Sequence, residues 1–278
     1  MGKVTLNQLS LGSALKRFIS LAAGLSLIAA TLTGCTTPSS VIPNTHVTIA
    51  EVGTLTTLNS DVSESAANKI ASDVAGLTMQ NFYEIAQDGK LVANKSFGKV
   101  QIIKEEPFTV GYTLAETALW SDGSSVDSTD LALAVAAAKY EAFDSTHFAS
   151  TLSTATIVGT PKPGGTELVI TYPNPVADWR TALKISAPAH VVGKVAGFSG
   201  NVATVRAGII SAIAAKDLEK LTKLGSAYSS AFAPAAEITN FATTGAYTIN
   251  KVSDQALELK AVRDFAGTHS AIAETVYV

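Results

Sequence analysis

One cysteine in 278 residues, Cys35, leaves no partner for an internal disulfide, so no covalent staple holds this fold. Charge is scarce as well: 15% of residues are Asp, Glu, Lys or Arg, and no run of like charges appears. A net charge of −3 and a pI of about 5.8 argue against nucleic acid, which would need a basic patch. The four histidines (His46, His147, His190 and His269) are scattered, with no short ligand spacing and no cysteine beside them, which argues against zinc. There is no G-x-S-x-G elbow to carry a hydrolase nucleophile and no glycine loop to cradle phosphate. Asp122, Asp127 and Asp130 lie close together, but not at the oxygen-ligand spacing of a calcium loop. Neither a metal, a cofactor nor a catalytic constellation is expected, and the chain is read as a non-enzyme.

What is present starts at the N-terminus. Lys3, Lys16 and Arg17 form a positive leader, and positions 18–31 carry no charge and are rich in Leu, Ile and Ala. This is the pattern of a secretory signal. The run falls short of the about 20 apolar residues a spanning helix needs. Leu32-Thr33-Gly34-Cys35 follows and resembles the bacterial lipobox, which implies cleavage after residue 34 and lipid attachment at Cys35. A lipidated thiol is no longer a reactive one. Positions 36–45, rich in Thr, Ser and Pro, cannot bury enough apolar surface to order themselves and read as a tether. The organisation expected is a signal peptide at 1–34, a lipidated cysteine and tether at 35–45, and a folded part at 46–278. The location expected is the outer face of the cell membrane, on a lipid anchor.

Within the folded part, Ala67, Ile70, Val74 and Leu77 recur at helical spacing across 63–77. Asp88-Gly89 marks a hairpin between the β-type runs 82–85 and 90–93. Two more β-type runs span 100–104 and 108–114; in the second, Phe108, Val110, Tyr112 and Leu114 share one face of a half-buried strand. Asp122-Gly123 makes another turn, and Asp127 or Ser128 caps a helix through 131–143, with Asp130 in its first turn. Strands follow at 155–158 and 167–172. A long amphipathic helix is expected over 205–224, with Ile209, Ile213, Leu218 and Leu221 near one face. Strands at 246–251 and 257–262 and an apolar run at 274–278 complete a mixed α/β or α+β fold without repeats.

Several of these segments, in order, resemble the family 5 extracellular solute-binding proteins, the peptide-, dipeptide- and nickel-type receptors of ABC importers. The most specific piece is Tyr112-Thr113-Leu114, then Leu119-Trp120-Ser121-Asp122-Gly123-Ser124, then Val126 to Leu131 with Asp127 and Asp130. Weaker matches lie at 55–59, 88–94, 172–179, 187–191, 244–249 and 257–260, so the resemblance spans roughly 46–278. It implies a type II periplasmic-binding-protein lobe, with Val278 falling where the first lobe hands over to a second, largely absent one. It implies capture of a peptide or similar small solute for ABC permease subunits. Trp120, Asp122, Gly123 and Asp130 are expected to be structural, with Trp120 buried beneath the motif. Trp179, Tyr83 and Phe82 are the candidates for a ligand wall, the last two open between core and cleft. A surface lipoprotein that uses the same lobe as a scaffold or regulator of envelope assembly is the alternative.

Overall fold

The computed structural model describes residues 39–62, 69–86, 88–253 and 255–278. The export segment 1–34, Cys35 and the first tether residues lie outside them, as do positions 63–68 of the first expected helix. In chain order the elements are β1 (Ile42–Thr48), α1 (Ile70–Thr78), β2 (Tyr83–Ile85), β3 (Leu91–Ala93), β4 (Gly98–Lys104) and β5 (Phe108–Leu114). Then come α2 (Ser128–Lys139), β6 (Thr156–Ile157), β7 (Glu167–Tyr172), α3 (Ala189–Val195), α4 (Val202–Ala215) and α5 (Leu218–Ser230). The chain closes with β8 (Tyr247–Val252), β9 (Leu257–Ala261) and β10 (Ala273–Tyr277).

These strands form two four-stranded sheets, β1-β10-β9-β8 and β4-β5-β7-β6, and the separate hairpin β2-β3. β1 pairs parallel with β10, and the other pairs are antiparallel. Helix α2 organises the packing between them. Its alanine-rich sequence has apolar or small groups on every side, and the helix is buried from Ser128 to Ala138. A helix that is apolar all round belongs inside. Leu133, Ala136 and Ala137 face a core shared with Ile209, Leu224, Tyr228 and Leu259. Leu131, Ala132 and Val135 join a second core with Tyr112, Trp120, Leu168 and Ile170. One helix is thus the common wall of both.

Four expectations change. The tether does not run to residue 45, because β1 begins at Ile42 and hydrogen-bonds to β10. Its residues are mostly exposed, so no apolar alternation announced it. β5 is buried on both faces, not one: Thr109 and Gly111 are covered as well, and the Ile103 side chain lies over Gly111. The helix expected over 205–224 is two helices. Lys216 takes a left-handed conformation (φ 53°) that stops α4, and the Asp217 side chain accepts the Lys220 N–H to start α5. Leu218 consequently leaves the apolar face and is 68% exposed, while Ile209 and Leu221 stay buried. Finally, the strand expected at 155–158 shrinks to Thr156–Ile157, and α3, unforeseen as a helix, fills the stretch after Pro188.

Candidate functional site

A groove with a volume of about 750 Å³ lies between the last turn of α1, the β2-β3 hairpin, the start of β8 and the segment 265–272. Its walls begin at a close backbone crossing. The Thr78 carbonyl, at the end of α1, accepts the N–H groups of Thr244 (2.9 Å) and Gly245 (2.8 Å). A Cβ at Gly245 would sit 2.7 Å from the Leu77 carbonyl oxygen and 2.8 Å from the Met79 nitrogen, so only glycine lets the chains meet here. Gln80 locks the crossing: its N–H donates to Thr244 Oγ1 (2.8 Å) and its Nε2 to the Thr244 carbonyl (2.6 Å).

Asn94, fully buried, holds the hairpin side in place. Its N–H donates to the Phe82 carbonyl at 2.8 Å, and its Nδ2 donates to Gln80 Oε1 (3.1 Å) and Glu84 Oε1 (3.0 Å). Its Oδ1 accepts from Ser96 Oγ at 2.6 Å. Glu84 Oε2 in turn lies 3.0 Å from Nε2 of His269 across the groove. Apolar surface comes from Leu77, Met79, Tyr83, Tyr247 and Phe265, and Lys184 adds an exposed ammonium with no carboxylate in ion-pair range among the described residues. An apolar cleft with a few fixed polar points is the usual form of a small-molecule site.

A smaller groove of about 410 Å³ shares Gly76, Met79, Asn81 and Lys184 with the first and runs on towards Asp61 and His147. Asp61 is saturated with donors: Thr146 Oγ1 (2.7 Å) and His147 Nδ1 (2.8 Å) on one oxygen, Ser145 Oγ (2.7 Å) and the Tyr228 hydroxyl (2.9 Å) on the other. Burial pushes this carboxyl up, but the hydrogen bonds and His147 outweigh it and hold it below the usual carboxylate range. Because Tyr228 spends its proton on Asp61, its oxygen accepts from Ser186 Oγ at 2.6 Å. This carboxylate is built to organise the groove end, with every oxygen already occupied.

The Trp120-to-Asp130 stretch is tied together by its own hydrogen bonds. Trp120 is buried, and Gly123 takes φ +85° in the turn that closes back on it through Gly123 N–H to the Trp120 carbonyl (2.9 Å). Asp122 Oδ1 accepts from Ser124 N–H (2.9 Å) and Ser124 Oγ (2.7 Å), and its Oδ2 lies 2.7 Å from His190 Nε2. Asp127, not Ser128, is the cap of α2: its Oδ1 accepts the Thr129 N–H at 2.8 Å, and Asp130 Oδ2 accepts the Asp127 N–H at 2.8 Å. Asp127 Oδ2 also accepts the Gly164 N–H (2.7 Å) and pairs with the buried Arg206 (3.1 Å), whose guanidinium donates to the Ser125 carbonyl.

The three candidates for a ligand wall are parted. Phe82 is a core residue, 2% exposed, edge-on to Phe97 and Tyr112, and its side chain is spent on packing. Tyr83, the next residue, points the other way along the strand and lines the groove. Trp179 is half-buried outside the lining of both grooves, with the Arg180 guanidinium 4.4 Å above its ring and its carbonyl accepting from the Tyr112 hydroxyl (3.1 Å). Gln80, Glu84 and Gly245, which line the groove, were missed, as was Asn94, buried behind it. Asn94 and Gly245 sit in segments whose resemblance was noted, but nothing in their spacing points to a cleft.

Against this geometry stand the solved structures. The fold matches the periplasmic EDTA-binding protein EppA with a TM-score of 0.60 at 16% identity, over 87% of this chain and 40% of that one. The oligopeptide-binding protein of Thermus thermophilus, complexed with a pentapeptide, matches with 0.55 at 15% identity, over 84% and 40%. Lactococcal OppA, complexed with an endogenous peptide, gives 0.54 at 15%, over 84% and 41%. The fold is that of a solute-binding protein. The described chain spans about 40% of the length of these structures. No protein-family model matches it. Among curated proteins, an uncharacterized lipoprotein of Mycobacterium tuberculosis is 33% identical over 127 residues, 44% of this chain and 23% of the relative. One of Mycobacterium leprae is 33% identical over 94 residues, 33% of this chain and 17% of the relative. Among the described residues, no helix is long and apolar enough to cross a membrane.

Proposed function

We propose that this chain is the solute-capturing part of a lipid-anchored receptor that delivers a peptide or similar small solute to an ABC permease. The observation that carries the reading is the groove of about 750 Å³, its walls fixed by Asn94 and by the Thr78–Gly245 crossing, on a solute-binding-protein fold. Polar side chains in its lining, Asn81, Lys184, Glu84 and His269, suit a polar ligand, and Tyr83, Tyr247 and Phe265 offer apolar contacts for its side chains. Capture involves no covalent step. The export segment, the lipobox ending at Cys35 and the lipoprotein relatives support anchoring at the membrane's outer face.

The test is retention. Purified protein, incubated with a mixed peptide pool and washed by ultrafiltration, is expected to carry a defined subset of peptides detectable by mass spectrometry. Tyr83→Ala is expected to release that subset. A pool recovered unselected from both proteins would overturn the reading.

A further inference from the structure

A separate cavity of about 280 Å³ opens where the last turns of α2 and α4 meet β6 and the 159–161 loop. It shares no lining residue with either groove. Its walls are apolar, chiefly Val135, Ile157, Ile210 and Ile213, with Ile210 buried and the two flanking isoleucines half-buried. At about 30 Å³ per water it has room for on the order of nine waters, the size of a small organic molecule.

Lys139 and Lys216 are among its lining residues. Lys139 belongs to the last turn of α2 and Lys216 caps the C-terminus of α4, so each helix dipole alone favours a cation at its own end. Both lysines line the same cavity, and Lys216 is near enough for its charge to act on Lys139. Neither lysine has a carboxylate within ion-pair distance among the described residues. The acids nearest in sequence to Lys216 are already engaged: Asp217 with Lys220 at 2.8 Å and Glu219 with Lys223 at 2.7 Å. Burial first, and then the charge of Lys216, pull the Lys139 pKa below its ordinary value, as expected for a cation short of counter-charge.

We infer that this cavity binds a small amphiphilic carboxylate, its head between Lys139 and Lys216 and its alkyl chain along Val135, Ile157, Ile210 and Ile213. A monocarboxylate of about ten non-hydrogen atoms fits the volume. The site is independent of what the groove takes.

Octanoate is the probe, titrated into the full chain by calorimetry. Saturable binding is expected, with octanol and acetate at least tenfold weaker, since each lacks one half of the recognition. The double variant Lys139→Gln/Lys216→Gln is expected to weaken octanoate tenfold or more with its thermal unfolding unchanged. Lysine side-chain NMR is expected to show the Lys139 pKa rising when octanoate is bound. Absence of saturable octanoate binding, equal binding of octanol, or an undiminished double variant would each overturn the proposal. A tenfold preference for octyl phosphate would overturn the carboxylate assignment. The octanol and acetate comparisons decide the matter without any substitution.

Discussion

Asp130 Oδ1 lies 2.7 Å from the amide nitrogen of Ala189, so one carboxylate in the first turn of α2 also receives the first N–H of α3. Its other oxygen accepts the Asp127 N–H at 2.8 Å and faces Trp120 Nε1 at 3.4 Å. The whole motif thereby joins two helices and the Asp122-Gly123 turn. Replacing Asp130 by Ala strands buried N–H donors and removes half of a capping box. A loss of about 3 kcal/mol in unfolding free energy is expected, from unsatisfied donors together with the lost cap. Urea unfolding measures it, and a loss under about 1 kcal/mol would mean that water replaces the carboxylate.

His190 and Asp130 respond to acid in opposite senses. The His190 side chain is buried, its Nε2 is tied to Asp122, and its Nδ1 has no hydrogen-bond partner among the described residues. Burial lowers its pKa from the ordinary 6.5, and Asp122 pulls the other way without overcoming it. Below that value the unfolded chain takes a proton at His190 that the folded chain resists, so this residue's contribution to stability falls as pH drops through 6.5. Asp130 acts in the opposite sense. Burial and then Asp127 raise its pKa from 3.8 to about 7, so the folded form holds a proton that the unfolded form has released, and its contribution grows as pH falls from about 7. Comparison of two proteins isolates the histidine. Between about pH 7.5 and pH 5.5, His190→Gln is expected to lose less melting temperature than the parent, by a few degrees. Parallel curves would assign His190 no titration on folding.

Cys35 carries a prediction of its own. Expressed in a bacterial host fed labelled palmitate, the parent is expected to incorporate label and to fractionate with membranes. Cys35→Ala is expected to lose all of the label if, as the lipobox resemblance implies, its thiol accepts the diacylglycerol. Label persisting in the variant would place the acyl group elsewhere and remove the lipobox reading.

What could be read from the residues follows from where each signal originates. The α2 start was legible because capping is local: Asp127, Asp130 and the apolar run after them sit within one turn of each other. The Asp88-Gly89 hairpin was legible for the same reason, since a turn dipeptide acts on its own neighbours. β1 was not, because its partner strand lies more than two hundred positions away and its own residues are exposed. The break at Lys216 was hidden as well: no glycine or proline marks it, and the left-handed conformation falls on a lysine. The groove was the least legible part. Asn94 is decisive there through contacts with Gln80 and Glu84, both reached by folding and not by spacing.

Phe82 and Tyr83 separate stability from binding in two adjacent residues. The Phe82 ring is buried between Phe97 (centroids 5.2 Å apart) and Tyr112 (5.5 Å), so Phe82→Ala leaves a cavity in a closed core. Its cost is expected to be about 3–5 kcal/mol of stability, the usual range for an aromatic lost from a core. Tyr83 is half-buried on the groove wall, at the edge of that core and not within it. Tyr83→Ala is expected to cost under about 1 kcal/mol of stability and, from lost aromatic contact area, to weaken the retained peptide about tenfold. Denaturant unfolding and a binding titration on each variant check both halves. If Tyr83→Ala unfolds the chain as Phe82→Ala does, the ring belongs to the core; if it leaves peptide affinity untouched, the ligand lies elsewhere in the cleft.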